Sequence, residues 1–154
     1  MGEKIYVEHN RRYTKQHLWI KADSEELRIG ITDYAQKALK KKAALVEFKK
    51  KTGDAVEEEE IFCVVYGEVY SDLAYHKTLQ YECMAFDVIS PVKGRIVEVN
   101  QAVMDKPQLV NDDCYGRGWL ALIKPENGGS VNKLLEPDKY VKSFEKERNP
   151  LRVF

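Results

Sequence analysis

The side chains best suited to nucleophilic or metal chemistry are three cysteines, and their spacing argues against a site. They are Cys63, Cys83 and Cys114. No two of them form a CxxC pair, and none has a histidine nearby at the spacing of zinc ligands. An odd number of widely spaced cysteines is typical of a reduced protein, so we expect a cytoplasmic chain without disulfides or a bound metal.

The histidines are equally dispersed, with His9 in the N-terminal segment, His17 in a predicted strand and His76 in a predicted hairpin. A catalytic triad needs a nucleophile, a base and an orienting acid, and no such group emerges. No P-loop or GxGxxG motif is present, and the glycine-rich stretch 116–118 leads into a predicted strand, where it cannot aim amides at a phosphate. We therefore expect no enzyme activity, and we interpret His17, beside Trp19, as a packing residue.

Composition excludes several classes of partner. The 25 basic and 25 acidic residues cancel, which gives no reason to expect binding to nucleic acid or to an anionic membrane. The N-terminus has no apolar signal region, and no apolar run is long enough to cross a bilayer. With 154 residues, 44% of them hydrophobic, the chain is expected to form a single domain over 1–154, with a core at about 12–125 and a helical appendage at 130–148.

Apolar and polar residues alternate along much of the chain, which predicts an all-β protein with short helices. The predicted strands are 13–21, 27–31, 44–48, 61–66, 79–89, 95–100 and 118–124. Thr32 is a predicted N-cap for a short helix with Tyr34, Ala38 and Leu39 on one face. The stretch 106–113 is expected to be a loop.

A second helix is predicted near the C-terminus, at 139–148. Tyr140, Val141 and Phe144 recur there at helical spacing beside charged residues. We interpret these three as packing residues.

The region between the strands 61–66 and 79–89 is expected to form a long hairpin with its connection at 71–78. The segment 61–66 is the most β-prone in the chain, so we expect it to be a central strand. Lys77 lies near the predicted tip and is the only lysine between Lys51 and Lys93.

Several motifs, in order, resemble the glycine cleavage H-protein family. They are residues 13–19 (YTKQHLW), 30–36 (GITDYAQ), 90–94 (SPVKG), 97–100 (VEVN), 107–112 (PQLVND) and 115–120 (YGRGWL). The resemblance covers most of residues 13 to 145.

The resemblance implies a flattened β-barrel or sandwich of the biotinyl/lipoyl carrier (barrel-sandwich hybrid) type, with short peripheral helices. It implies a lysine at a hairpin tip that carries lipoate, attached by a lipoate ligase. A lipoyl arm would shuttle an aminomethyl or related group among glycine decarboxylase, aminomethyltransferase and dihydrolipoamide dehydrogenase, so the chain itself would be a carrier.

The chain departs from this family at the lipoyl position. The family motif, roughly Glu-Ser-x-Lys-Ala, follows the strand that contains Phe62, whereas residues 65–70 (VYGEVY) include no lysine. Residues 82–86 (ECMAF) are similar to a biotinyl hairpin motif but have Ala85 in place of the lysine. Lys77, 15 residues after Phe62 and 13 before Ser90, is the remaining candidate for lipoylation.

Two functions follow, and modification of the hairpin discriminates between them. The first is a lipoyl-type carrier in which Lys77 bears the group that moves. The second is a non-lipoylated paralogue that acts as a binding or scaffold protein through its extended 66–87 hairpin.

A second departure from the family lies in the turn before this hairpin. Glu59 stands near the position where the family tends to have a turn glycine, which indicates that the turn has a different shape here.

Overall fold

The computed structural model describes residues 4–39, 43–73, 78–126, 133–144 and 152–153, with the backbone alone described for 68–73, 78–83 and 152–153. Its strands are β1 (Arg12–Tyr13), β2 (Leu18–Asp23), β3 (Glu26–Ile31), β4 (Ala43–Phe48), β5 (Ala55–Val56), β6 (Ile61–Leu73), β7 (Thr78–Ile89), β8 (Gly94–Val99), β9 (Ala121–Pro125) and β10 (Arg152–Val153). Its helices are α1 (Asp33–Ala38), α2 (Gln101–Asp105), α3 (Leu109–Asp112) and α4 (Pro137–Phe144). None of the helices described is long and apolar enough to cross a membrane.

The strands form two antiparallel sheets that share one apolar core. The first sheet has the order β1-β2-β3-β9-β8-β5, and the second has the order β10-β7-β6-β4. Leu18 and Ile29 from the first sheet and Val65 and Phe86 from the second belong to the same buried cluster. Among the described strands none pairs across the two sheets, so the all-β fold predicted from the sequence is confirmed as a sandwich rather than a closed barrel.

Period-two alternation explains how one strand supports two packed layers. In β2, Leu18 and Ile20 point into the shared core, while Trp19 between them belongs to a second buried cluster. That cluster contains Tyr13 and Tyr140, whose rings stack with centroids 4.7 Å apart. It holds α4 against the outer side of the first sheet.

The C-terminal helix confirms part of the prediction. Tyr140 is fully buried and Phe144 packs against it with ring centroids 5.1 Å apart, whereas Val141 is only partly buried. The helix begins at Pro137 rather than at 139, because proline suits the first helical turn. Residues 145–148 of the predicted helix lie outside the described residues.

Helix α1 begins as predicted, since the Thr32 side chain accepts a hydrogen bond from the Ala35 N–H. Its buried face was predicted less well. Ala35 and Leu39 are fully buried, whereas Tyr34 and Ala38 are only partly so. The helix is short, and the i, i+4 pair Ala35 and Leu39 covers the core.

The stretch predicted as a loop contains a helix, α3, and this expectation was wrong. Leu109 and Val110 of α3 are buried, so tertiary packing stabilises a turn of helix in which every residue except Leu109 has weak helical propensity. The short helix α2 before it was also missed. Its N-cap is Asn100, whose Oδ1 accepts from the Ala102 N–H at 3.1 Å.

Candidate functional site

The candidate site is the hairpin of β6 and β7, which runs from the sandwich core to beyond it. At its base β6 lies between β4 and β7, so the prediction of a central strand is confirmed. Pairing of β6 with β4 ends at Gly67, and pairing of β7 with β10 involves only Ala85 and Met84. Beyond these positions, within the described residues, β6 and β7 pair only with each other.

This two-stranded extension runs from the pair Glu68 and Cys83 to the pair Leu73 and Thr78. Each of its two strands has six residues. At about 3.4 Å per residue, the extension is about 20 Å long, measured from the point where β4 and β10 stop pairing with β6 and β7. We call this segment the hairpin extension. A group attached at its end is held away from the sandwich, which suits delivery into another protein.

The predicted connection at 71–78 was too long. Residues Ser71 to Leu73 and Thr78 are paired strand residues, so only 74–77 connect β6 to β7. Cross-strand pairing overrides the turn preference of Ser71 and Asp72. Lys77 immediately precedes Thr78, the first residue of β7, and lies outside the described residues.

Ala85, which stands in place of the lysine of the biotinyl hairpin motif, has no amine to modify, and its surroundings do not resemble a hairpin tip. It lies within β7, opposite Tyr66 on one side and Arg152 on the other. It is only 1% exposed, and its neighbours Met84 and Phe86 are also buried. The similarity of 82–86 to a biotinyl hairpin therefore has no structural counterpart.

The base of the hairpin is held by a tight turn that precedes β6. Glu59 has a positive φ of 68°, which agrees with the indication of a reshaped turn where a glycine would be expected. Its N–H donates to the Ser90 carbonyl at 2.8 Å, and the Ser90 N–H donates to the Glu60 carbonyl at 2.8 Å. These reciprocal bonds join the start of β6 to the end of β7.

An acidic run before β6, residues 57–60, and a lysine run after β4, residues 49–51, meet at this base through an ion pair. Lys50 Nζ lies 3.2 Å from the Glu60 carboxylate. The Glu57 N–H, at 2.9 Å, and the Lys50 ammonium hold the pKa of the Glu60 carboxyl below its ordinary value. The charges there stabilise the turn beside the hairpin.

A small cavity of about 200 Å³ adjoins the hairpin base and is lined by Gln16, Glu59, Ser90 and Leu134, among others. Ile89, the last residue of β7, also lines this cavity. Thr78, the first residue of β7 and the one next to the hairpin connection, is eleven residues away along the strand. That separation corresponds to about 37 Å along the strand. The cavity and the hairpin tip are therefore at opposite ends of β7.

His17, the histidine in the predicted strand, lies in a buried polar network as expected. Its Nδ1 is 2.8 Å from the Tyr140 hydroxyl, which is also 2.7 Å from Thr32 Oγ1. His17 also stacks on Tyr34, with ring centroids 4.4 Å apart. The network joins α4 to the N-terminus of α1, and among the described residues no cluster could hold a metal ion.

Asp33, which sequence reasoning missed, organises the N-terminal segment over α1. Its carboxylate accepts from the Tyr6 N–H at 2.7 Å and from Gln36 Nε2 at 2.5 Å, and it pairs with Lys37 at 2.9 Å. Burial by itself raises the pKa of Asp33, but these donors lower it below its ordinary value overall. The ionised form therefore stabilises the fold, and this contribution is lost as the pH falls through the lowered pKa.

Two of the three cysteines are free and buried. Burial raises the pKa of the Cys114 thiol to about 12 and also raises that of Cys63. A thiol that stays protonated at neutral pH is a poor nucleophile. Neither residue is suited to covalent catalysis.

Comparison with known proteins identifies the family to which this architecture corresponds. A family model described as Glycine cleavage H-protein matches residues 11–74 and 78–147, which is most of the chain. The two matched segments flank residues 75–77. Lys77 therefore lies outside both of them.

Individual relatives agree along nearly their whole length. Glycine cleavage system H proteins from Carboxydothermus hydrogenoformans and Thermus thermophilus are 36% and 38% identical to this chain, over 88% and 90% of it and 92% and 95% of their own lengths. A probable glycine cleavage system H protein from Aeropyrum pernix is 34% identical over 96% of this chain and 92% of its own. The crystal structure of a glycine cleavage system H protein from Mycobacterium marinum matches with a TM-score of 0.70 at 30% identity, covering 90% of this chain and 99% of that one.

Proposed function

The chain belongs to the glycine cleavage H-protein family, and from this premise we propose that it is a lipoyl-type carrier whose attachment site is Lys77. In this proposal it is a carrier component rather than an enzyme. It moves an aminomethyl or related group between partner enzymes. The observation that carries the assignment to Lys77 is the strand register of the hairpin.

The strand register of the hairpin supports Lys77 as the attachment site. Leu73 pairs with Thr78, so residues 74–77 connect the two strands at the end of the hairpin extension. Lys77 is the only lysine in this connection and the only one between Lys51 and Lys93. In this proposal, the end of a two-stranded arm would present the lysine amine to a modifying enzyme and to several acceptor sites in turn.

The chemistry needed from this chain is limited. The neutral Lys77 amine would be acylated by activated lipoate, which forms an amide and releases the activating group. When attached, the dithiolane would supply the sulfur chemistry. The hairpin extension would carry it about 20 Å beyond the four-stranded part of the sheet.

The partners follow from the same proposal. They would be a glycine decarboxylase, an aminomethyltransferase and a dihydrolipoamide dehydrogenase, with a lipoate ligase for modification. The cytoplasmic location expected from the sequence stays a prediction.

Intact mass spectrometry tests the attachment site. The full chain is expressed with lipoate and a lipoate ligase, alongside Lys77→Arg and the matched control Lys93→Arg, which lies in the turn before β8. We expect one lipoyl increment on the wild type and on Lys93→Arg, mapped to the peptide containing Lys77, and a complete loss in Lys77→Arg.

Two results would contradict the assignment. An adduct on another lysine would show that the register does not select the site. An unmodified wild-type chain, under conditions that modify the Thermus thermophilus relative, would reject the carrier function and favour the non-lipoylated alternative. In that alternative the hairpin is a binding element for another protein.

A further inference from the structure

A second concave site lies on the outer side of the first sheet, away from the hairpin. It is a cavity of about 500 Å³ formed by β2, β3 and the loop that follows α3. We call it the outer cavity. Its charged lining residues are four cations and two carboxylates: Arg11, Lys21, Arg28, Arg117, Asp23 and Asp113.

Aromatic rings hold two of these guanidinium groups in place. Arg28 lies over the Trp119 ring at 4.5 Å from its centroid, and Arg11 lies over the Trp19 ring at 4.7 Å. Trp19 is itself immobilised, because it is buried and its Nε1 donates to the Cys114 carbonyl at 2.7 Å. A guanidinium stacked on a ring directs its N–H groups outward in its own plane, where they can donate to an oxyanion.

The cations are only partly neutralised by protein groups. Arg28 donates to Asp23 through Nη2 at 3.2 Å, which leaves its other N–H donors. Arg117 Nε is 3.9 Å from the Asp113 carboxylate, at the limit of an ion pair. Lys21 has no ion pair among the described residues.

Arg11 adds an unusual feature to the same site. Its Nη1 donates to Asn10 Oδ1 at 2.6 Å and its Nη2 to the Tyr115 carbonyl at 2.5 Å. Its Nε, however, is buried without a hydrogen-bond partner among the described residues. A buried donor without an acceptor is uncommon in a folded protein.

From these contacts we propose that the outer cavity binds a small anion with at least two negative charges, through phosphate or carboxylate oxygens. The cavity volume falls within the range of small-molecule sites. The fixed guanidinium edges supply charge-assisted hydrogen bonds with little loss of side-chain freedom. This site is independent of Lys77 and of the proposed carrier function.

Intrinsic fluorescence is a selective probe, because both tryptophans of the chain, Trp19 and Trp119, line this cavity. The full chain is titrated at constant ionic strength with pyrophosphate in one series and with citrate in another, and sodium chloride serves as the salt control. We expect a saturable shift of the emission maximum with at least one of the two anions and none with chloride. The stronger anion identifies phosphate or carboxylate as the preferred group.

Three variants locate the binding site. Arg28→Gln and Arg117→Gln each remove one cation from the cavity, and Arg95→Gln removes an exposed cation from β8 of the same sheet. We expect the half-saturating concentration to rise about tenfold in the first two variants and to stay unchanged in the third. Arg28 stacks on Trp119, so its removal can change the fluorescence of the free protein as well as the affinity for the anion. Arg117 stacks on neither tryptophan, so its variant tests affinity without this complication.

The proposal is overturned by either of two outcomes. One is the absence of a saturable response to both anions up to about 10 mM, a concentration that allows for weak binding. The other is an equal loss of affinity in Arg117→Gln and Arg95→Gln. That result would show that affinity depends on the net charge of the protein and not on a site in the outer cavity.

Discussion

The aromatic cluster beside the first sheet and the hairpin extension are organised by different interactions. In the cluster, the buried ring of Tyr140 is brought from a distant part of the chain onto the buried rings of Tyr13 and Trp19. In the extension, from Glu68 and Cys83 to Leu73 and Thr78, each strand has the other as its only described partner. The first region depends on tertiary packing, and the second depends on local strand pairing.

This difference explains where the family motifs occur. Residues 13–19 and 30–36 lie in and beside the cluster, and Tyr13, His17 and Trp19 of the first motif are buried there. In the second motif, a Cβ added at Gly30 would lie 2.5 Å from the Trp19 ring. The backbone of the extension pairs with no other described strand, so we expect that its length can change without disturbing the sandwich.

The largest expected effect that tests this contrast is that of Gly30→Ala. The added Cβ collides with the buried ring of Trp19. A shift of that ring would weaken the hydrogen bond from its Nε1 and disturb its packing, so the collision destabilises the folded state. We expect a loss of about 3 kcal/mol in the free energy of unfolding, measured by urea denaturation.

Gly53→Ala serves as the comparison for that variant. Gly53 has a φ of 96°, but a Cβ added to it would meet no atom within 4 Å, so only backbone strain of about 1 kcal/mol is expected. Equal losses in the two variants would contradict the collision with Trp19.

Tyr140→Phe is expected to have the next largest effect. It removes the hydroxyl between His17 Nδ1 and Thr32 Oγ1 and leaves buried polar groups short of a partner. We expect a loss of about 2 kcal/mol in urea denaturation. Lys139→Ala, at the exposed neighbouring position, is the control and is expected to be nearly neutral. A Tyr140→Phe variant as stable as the wild type would show that the network does not hold α4.

Glu59→Gly is expected to stabilise the protein. Glycine adopts the positive φ of 68° without steric cost, so the substitution relieves backbone strain in the folded chain. We expect this relief to exceed the cost of the larger conformational entropy that glycine has in the unfolded chain. We expect a gain of about 0.5 kcal/mol by thermal denaturation. Glu58→Gly makes the same charge change next to it, where no positive φ occurs, and is expected to destabilise. A loss of stability in both variants would argue against strain at the hairpin base.

The smallest expected effect comes from shortening the hairpin. Residues 70–81 are replaced by Asn-Gly, so that the pair Val69 and Glu82 flanks a two-residue turn. Because the extension pairs with no other described strand, the free energy of unfolding is expected to change by less than about 0.5 kcal/mol. A larger loss, or aggregation of an unfolded chain, would show that the sandwich depends on the extension.

Much of the fold was predictable because its signals are local. Alternation along β2 and β3 follows from the pleat of a strand, and the α1 boundary follows from the capping chemistry of Thr32. Helix α3 was not predictable in this way, since Leu109 and Val110 are ordered by burial against distant residues.

For the candidate site, the sequence indicated a hairpin and a lysine between its strands, but not the reach of the extension. Ser71 and Asp72 favour turns in isolation, and only their pairing with Gln80 and Leu79 makes them strand residues. That Met84, Ala85 and Phe86 lie inside a paired and buried strand rather than at a hairpin turn was likewise visible only in the structure.

The sequence by itself therefore predicted most of the longer strands, the α1 cap, the family and the lysine to test, because these depend on residue type and short spacing. It did not separate β1 from β2 within the predicted strand 13–21, and it missed the two-residue strands β5 and β10. Tertiary structure alone decided which side chains meet. The outer cavity depends on Arg11, Arg28 and Trp119, which lie on separate segments of the chain and come together only when the first sheet forms. Contacts between such distant positions depend on the order of the strands in the sheet, which alternation along a single strand does not reveal.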